Sequence, residues 1–242
     1  MKTLIFARRV AKEILRDPLS LAFGIGFPVV LLLLLGAIQK NIPVEMFVPE
    51  QLTPGIAVFG LSFLALFSAM LISRDRATSM LGRLFTTPMR ASDFILGYTL
   101  PLLPMALCQG IVCYAVAALM GLKMTWNLLP ALLSLLPVSL IYIGIGLLCG
   151  SVMNEKQATS VCGAILTNLS AWLSGTWFSL ELVGEGFRTF ANLLPFAHAV
   201  SLGRALLAGN AGEALPHLWV VLGYAIVLLT VAVFAFRKKM QD

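Results

Sequence analysis

Residues 74–90 form a charged stretch, with four arginines and one aspartate, between two long uncharged runs. Its apolar residues Met80, Leu81, Leu84 and Phe85 recur at helical spacing, which predicts a short amphipathic helix. Pro88 disfavours helical geometry before it, so we expect this helix to end at Thr87. An amphipathic helix of this kind lies on a membrane surface or docks in a partner's groove, although basic loops between membrane helices commonly look the same.

Other residues with chemical potential show no pattern of a catalytic or metal site. The four cysteines (Cys108, Cys113, Cys149 and Cys162) lie in apolar stretches without C-x-x-C spacing, and we expect them to act as small core residues. His198 and His217 have no further ligand at metal spacing, so we predict structural or interfacial roles. A phosphate-binding loop is also absent, so any ATP-driven work must draw its energy from a partner.

Composition places the chain among membrane proteins. Hydrophobic residues make up 59% of the 242 residues and charged residues only 12%. The formal charge is +6, but the basic residues cluster at the ends of apolar runs, which favours membrane orientation over nucleic-acid binding. The apolar runs hold no charged residue well inside them, which argues against an ion-coupled carrier or a membrane enzyme.

The elements that position residues 74–90 follow from the apolar runs. Residues 1–16 carry apolar and charged residues on opposite faces, which predicts an interfacial helix that is retained rather than cleaved. Asp17-Pro18 and Thr53-Pro54 are typical of helix starts, whereas Pro101 and Pro104 should kink or break a helix. Six membrane spans are predicted, at about 19–38, 55–73, 94–121, 128–153, 157–180 and 217–236. The fifth is expected to pack antiparallel beside the fourth, because only a very short polar link joins them.

Residues 181–195 contain apolar pieces too short to span a bilayer, which predicts a re-entrant segment before the last span. Glu181, Glu185 and Arg188 would then mark the outer rim of an exit path, and an ordinary external loop is the alternative. Lysine and arginine are concentrated on the side that holds residues 74–90 and both termini, so this side is expected to face the cytoplasm.

Together these features resemble the permeases of the type-2 exporter family of ABC transporters, which export drugs, lipids or polysaccharides. Arg74-Asp75, followed by Leu81, Leu84 and Thr87-Pro88, is similar to the family's loop that enters a cleft on the ATPase. The chain departs from many members where it has Ala77, Ser79, Met80 and Gly82. A weaker match covers Leu194 to Ala199, with Arg204 following.

The resemblance implies one permease domain over residues 1–242 and an all-α membrane fold with a cytoplasmic coupling helix. It implies ATPase coupling by residues 74–88; the side chains concerned are Arg74, Asp75, Met80, Leu81, Arg83, Leu84, Phe85, Thr87 and Pro88. The partners expected are separate ABC ATPase subunits, a second permease copy or paralogue, and membrane lipids. No cofactor is expected on this chain, since ATP and magnesium would bind the ATPase. The expected function is outward movement of a hydrophobic drug or a lipid across the plasma or inner membrane, with polysaccharide export or a non-transporting scaffold as alternatives.

Overall fold

The structure is a computed structural model that describes residues 2–41, 47–78 and 89–241. Every regular element of these residues is helical. The helices are α1 Lys2–Leu15, α2 Pro18–Leu21, α3 Phe27–Asn41, α4 Pro49–Gly60, α5 Ser62–Ala77, α6 Ala91–Leu119, α7 Leu128–Leu133, α8 Leu135–Val152, α9 Glu155–Ser160, α10 Thr167–Leu173, α11 Glu185–Leu193, α12 Pro195–Ala208 and α13 Ala211–Gln241. Two π-helical turns, Ala22–Gly26 and Val161–Leu166, lead into α3 and α10, and a 3₁₀ turn, Leu180–Leu182, precedes α11.

Five continuous helical stretches in the described residues are long and apolar enough to cross a membrane. They are Ala22–Asn41, Pro49–Ala77, Ala91–Leu119, Leu128–Val152 and Ala211–Lys238. The pair α11 and α12 would make a sixth if counted as one broken span, since the chain bends by 87° between them. The predicted fold class, an all-α membrane protein, is therefore confirmed.

The N-terminal helix α1 packs its apolar face against α6. Phe6, Val10 and Ile14 are buried, while Leu4, Ile5 and Leu15 are exposed on the molecule. The Phe6 ring lies edge-on to Phe94 and Tyr98, with centroid distances of 5.4 and 5.0 Å. Phe6 fits because Gly97 has no side chain; a Cβ there would lie 2.4 Å from the Phe6 ring. Aromatic packing thus fixes α1 to the third span.

Only one of the two predicted helix starts is correct. Asp17 accepts hydrogen bonds from the amide and hydroxyl of Ser20, so it caps the helix that Pro18 begins. Thr53-Pro54, in contrast, lies inside α4, which begins at Pro49. Pro49 already supplies the proline favoured in a helix's first turn, and the Thr53 hydroxyl bonds back to its carbonyl.

The prolines of the third span do not break it. Pro101 and Pro104 both lie within the single 29-residue helix α6, whose side chains pack on several neighbours. Tertiary packing therefore outweighs the lost backbone hydrogen bonds. In the fourth span the helix is interrupted at Ser134 instead, which leaves Pro137 in the first turn of α8, where its missing N–H has no intrahelical acceptor to lose.

Helix α5 is the centre of the bundle and packs closely on α8. A Cβ on Gly146 would lie 2.1 Å from the carbonyl oxygen of Ala65, and one on Gly150 would lie 2.6 Å from that of Ala69. These glycines therefore let two backbones meet within one chain. The helices α9 and α10 cover the first part of the predicted fifth span. They pack chiefly on α5, whereas the sequence predicted packing beside the fourth span.

The bend between α11 and α12 lies beside the middle of α13, the last helix. The Tyr224 hydroxyl donates a hydrogen bond to the Leu193 carbonyl, and Tyr224 is 13 residues beyond Ala211, the start of α13. At about 1.5 Å per residue this is roughly 20 Å from that end of the helix. Helix α12 then returns to the start of α13, where Gly209 ends it with a positive φ of 84°.

Candidate functional site

The polar cluster at one end of the bundle is centred on Asp75, in the last turn of α5. Asp75 is only 4% exposed. Arg9 of α1 donates to both carboxylate oxygens, with Nη1–Oδ2 and Nη2–Oδ1 distances of 2.7 and 2.8 Å. The Tyr98 hydroxyl of α6 donates to Oδ2 at 2.7 Å. One carboxylate thereby joins α1, the second span and the third span.

Charge at this cluster is shared between one guanidinium and two carboxylates. Arg9 also pairs with Glu13, with an Nη2–Oε2 distance of 3.0 Å. The hydrogen bonds to Asp75 raise the pKa of Arg9, so the guanidinium stays charged. Burial, and then the nearby Asp75 carboxylate, raise the pKa of Glu13. Since Arg9 is the cation between the two acids, its loss would leave two like charges close together.

Two further arginines at this end of the bundle tie α5 to the end of α8 and the start of α9. Arg74 Nε lies 2.6 Å from Glu155 Oε1, in a pair whose side chains are nearly half exposed. Arg76 donates to the carbonyls of Gly150 and Met153 at the end of α8. Cations are favourable at such carbonyl ends of helices. The end of α5 is thus held on two sides.

Helix α1 also holds the chain beyond residues 79–88. Asp93, in the first turn of α6, accepts a hydrogen bond from the Arg90 amide at 2.9 Å and one from the Thr3 hydroxyl at 3.0 Å. Arg9 holds Asp75 before residues 79–88, and Thr3 holds Asp93 after them. One helix therefore fixes both attachment points of this segment, which we call the coupling segment.

The predicted coupling residues fall into two groups. Arg74 and Asp75 are described and lie in the cluster above. The other predicted residues belong to the coupling segment, which lies outside the described residues; they are Met80, Leu81, Arg83, Leu84, Phe85, Thr87 and Pro88. Their amphipathic helix stays a prediction, and the structure describes only the chain on either side, up to Thr78 and from Met89.

At the opposite end of the molecule, two of the three predicted rim residues meet. Arg188 Nη1 lies 3.1 Å from Glu181 Oε1, and both side chains are more than half exposed. Glu185, the third predicted rim residue, is the first residue of α11, and it is exposed. Arg204 is largely buried and donates to the carbonyls of Gln51 and Gly175, so it links α12 to α4. No sequence pattern identified that link.

His198 and His217 are 19 residues apart in the sequence but adjacent in the structure. The Nδ1 atoms of His198 and His217 are 2.7 Å apart, and His198 Nε2 lies 2.9 Å from the Asn192 carbonyl. A carbonyl only accepts, so His198 Nε2 carries a proton and His217 donates through Nδ1 when both rings are neutral. Within the described residues, no three metal-ligating side chains come together, so the pair fixes α12 to α13 without a metal cluster.

Comparison with known proteins identifies the family. Residues 1–208 match the family described as ABC-2 type transporter. The chain belongs to this family. It is 30% identical to ABC transporter G family member 20 of Dictyostelium discoideum over 200 residues, which cover 78% of the chain and 27% of that protein. It is 24% identical to Nodulation protein J of Bradyrhizobium diazoefficiens over 227 residues, covering 93% of the chain and 85% of that protein. The chain thus spans about a quarter of the first relative and most of the second.

This ABC-2 chain is accordingly the membrane permease component of an ABC transporter, and the resemblance found in the sequence is confirmed. Arg9, Tyr98, Thr3 and Asp93 were not among the predicted site residues. Arg9 lies on the polar face of α1 and was expected to face water, and Tyr98 lies in an apolar run. Only the spatial meeting of three helices reveals them.

Proposed function

We propose that the chain is the transport subunit of an ATP-driven exporter that moves a hydrophobic drug or a lipid outward, with ATP and magnesium bound by separate ATPase subunits. A second permease copy or a paralogue would complete the pathway. The observation that carries this proposal is that α1 bonds to the chain on both sides of the coupling segment, through Arg9 to Asp75 and through Thr3 to Asp93. Because both sides are held, a displacement of the segment would move the second and third spans.

The membrane orientation is part of the same proposal. Arg8, Arg9, Lys12 and Arg16 of the N-terminal segment lie at the same end as Arg74 and Arg76, and the sequence bias places this end in the cytoplasm. The membrane would be the plasma or inner membrane, with both termini inside. A reporter fused after Asp242 is expected to be active in the cytoplasm, and activity only outside the cell would contradict this orientation.

Contact with an ATPase is proposed for the apolar side of the coupling segment, chiefly Leu84 and Phe85, with Arg74 and Asp75 fixing its direction. In Leu84→Asp the new carboxylate would be buried at that contact, at a cost on the order of several kcal/mol. We expect the variant permease to fold normally and to lose its co-purifying ATPase. Thr86→Asp is the matched control, because it adds the same carboxylate to this segment at a residue outside the predicted coupling set, and it should retain the ATPase. Equal recovery of ATPase with Leu84→Asp and with the unaltered chain would contradict the docking assignment.

The substrate class rests on the composition of the chain rather than on a defined pocket. The spans of the described residues expose apolar side chains such as Phe23, Trp172 and Phe234, which suit a hydrophobic or amphiphilic cargo. Polysaccharide export and a scaffold without transport are the competing functions. Stimulation of ATP hydrolysis by lipids or amphiphilic drugs in the purified complex would favour the proposed cargo, and stimulation by polysaccharide alone would contradict it.

A further inference from the structure

A cavity of about 660 Å³ lies beside the Asp75 cluster, between the end of α1, the start of the first span and α5. Its apolar lining residues include Ile14 of α1 and Phe67, Met70 and Leu71 of α5. Its charged lining residues are Arg9, Lys12, Glu13, Arg16, Asp17 and Arg74. The cavity therefore presents a polar part and an apolar part to the same occupant.

Two of the cations that line the cavity form no salt bridge with another described residue. Arg9 is paired with Asp75 and Glu13, and Arg74 with Glu155. Asp17 is occupied by hydrogen bonds from Ser20. In the part of the chain that the structure describes, neither the Lys12 ammonium nor the Arg16 guanidinium lies within 4.0 Å of a carboxylate. These two cations are available to an anion.

The mouth of the cavity lies at the depth of lipid headgroups. Leu4, Ile5 and Leu15 of α1 are 65%, 68% and 71% exposed, so their side of the helix needs lipid to cover it. An amphipathic helix with such a face lies in the membrane interface, with its cations at the level of the phosphates. The lining residues Pro18 and Ser20 belong to α2, so the cavity reaches from α1 to the start of the first span.

We propose that this cavity binds an anionic phospholipid, with Lys12 and Arg16 contacting the phosphate and with Ile14 and Phe67 contacting the glycerol and upper acyl region. Basic pockets between membrane helices are suited to such headgroups. Arg9 lines the cavity and also holds Asp75, so a bound lipid would lie directly against the base of the coupling segment. The site does not require the ATPase or the proposed direction of transport.

Thermal unfolding of the purified full chain tests the proposal. The detergent micelles would contain phosphatidylglycerol, phosphatidylcholine or inorganic phosphate. We expect phosphatidylglycerol to raise the melting temperature and the other two to have little effect. Equal stabilisation by phosphatidylcholine would overturn the requirement for an anion. Equal stabilisation by inorganic phosphate would overturn the requirement for a lipid.

Substitution locates the site. Lys12→Gln with Arg16→Gln should weaken the apparent affinity for phosphatidylglycerol at least tenfold, measured by native mass spectrometry. Arg8→Gln with Lys156→Gln removes two exposed cations that do not line the cavity, and it should leave the affinity unchanged. Lys12→Arg with Arg16→Lys retains the charges and should retain binding, which separates a lost site from a misfolded chain. Equal weakening in the Arg8/Lys156 control, or full binding by the Lys12→Gln/Arg16→Gln variant, would refute the site.

Discussion

Asp75 joins three helices at the end of the bundle that holds α1 and the last turn of α5. Its carboxylate is buried and accepts hydrogen bonds from Arg9 and Tyr98, which belong to different helices. Buried carboxylates are tolerated when they are fully paired, and breaking such a pair leaves the partner charge uncompensated. The pair Arg74–Glu155 lies nearby but is exposed, and exposed pairs contribute little.

Asp75→Asn should therefore destabilise the fold measurably. The variant preserves the size of the side chain but removes the anion that two of the Arg9 N–H groups contact. We expect the free energy of unfolding to fall by about 2 kcal/mol, since hydrogen bonds to charged groups contribute about 1.5–3 kcal/mol and Arg9 is partly exposed. Thermal unfolding in detergent would measure the loss. Glu155→Gln is the control and should change stability by less than about 1 kcal/mol; an equal effect of the two variants would contradict the special role of Asp75.

The sequence identified Asp75 but not its partners. Asp75 stood out because it follows Arg74 at the edge of a charged stretch and matches the pattern of the family. Arg9 is 66 residues away and Tyr98 is 23 residues away, and both have ordinary local environments in the sequence. The contact depends on how α1 packs across α6, which Phe6 and Gly97 determine through shape rather than through any periodic pattern.

At the scale of elements, five of the six predicted spans overlap the stretches of the described residues that are long and apolar enough to cross a membrane. The predicted fifth span, at about 157–180, is not among those stretches. Thr53-Pro54 lies inside α4, and Pro101 and Pro104 lie inside an unbroken α6. Local proline rules failed at these points because neighbouring helices stabilise a backbone that would be weak in isolation. The bend at Leu194 was more predictable, since Pro195 suits a helix's first turn and disfavours helical geometry at the residue before it.

Close contact between α5 and α8 gives a direct test at this scale. Gly146→Ala would place a methyl group against the Ala65 backbone, so the two helices must separate. We expect a loss of about 1–3 kcal/mol in the free energy of unfolding, the usual range for overpacking. Gly223→Ala is the matched control, because a Cβ there meets nothing within 4 Å. It should be neutral or slightly stabilising, since alanine has the higher helix propensity. A similar loss in both variants would mean that contact with the Ala65 backbone does not cause the effect.

At the scale of the whole molecule, α1 connects parts of the chain that are distant in sequence. It packs on α6, bonds to Asp75 before the coupling segment and to Asp93 after it, and lines the cavity proposed for an anionic lipid. The amphipathic pattern of residues 1–16 predicted an interfacial helix. Its contacts on both sides of the coupling segment could not be predicted, because neither composition nor spacing indicates a hydrogen bond from Thr3 to Asp93.

In the proposed function, ATP-driven movement reaches the second and third spans through the coupling segment, whose neighbouring residues Asp75 and Asp93 are held by α1. The most direct test is a transport measurement in liposomes that contain the permease with its co-purified ATPase, using a fluorescent lipid analogue. We predict ATP-dependent movement with the unaltered chain. With Asp75→Asn we predict at least about a tenfold slower rate, equivalent to about 1.4 kcal/mol, while the ATPase remains bound and active. Transport by Asp75→Asn at the unaltered rate, or ATP hydrolysis by the complex with no movement of any lipid or amphiphilic drug, would contradict the account.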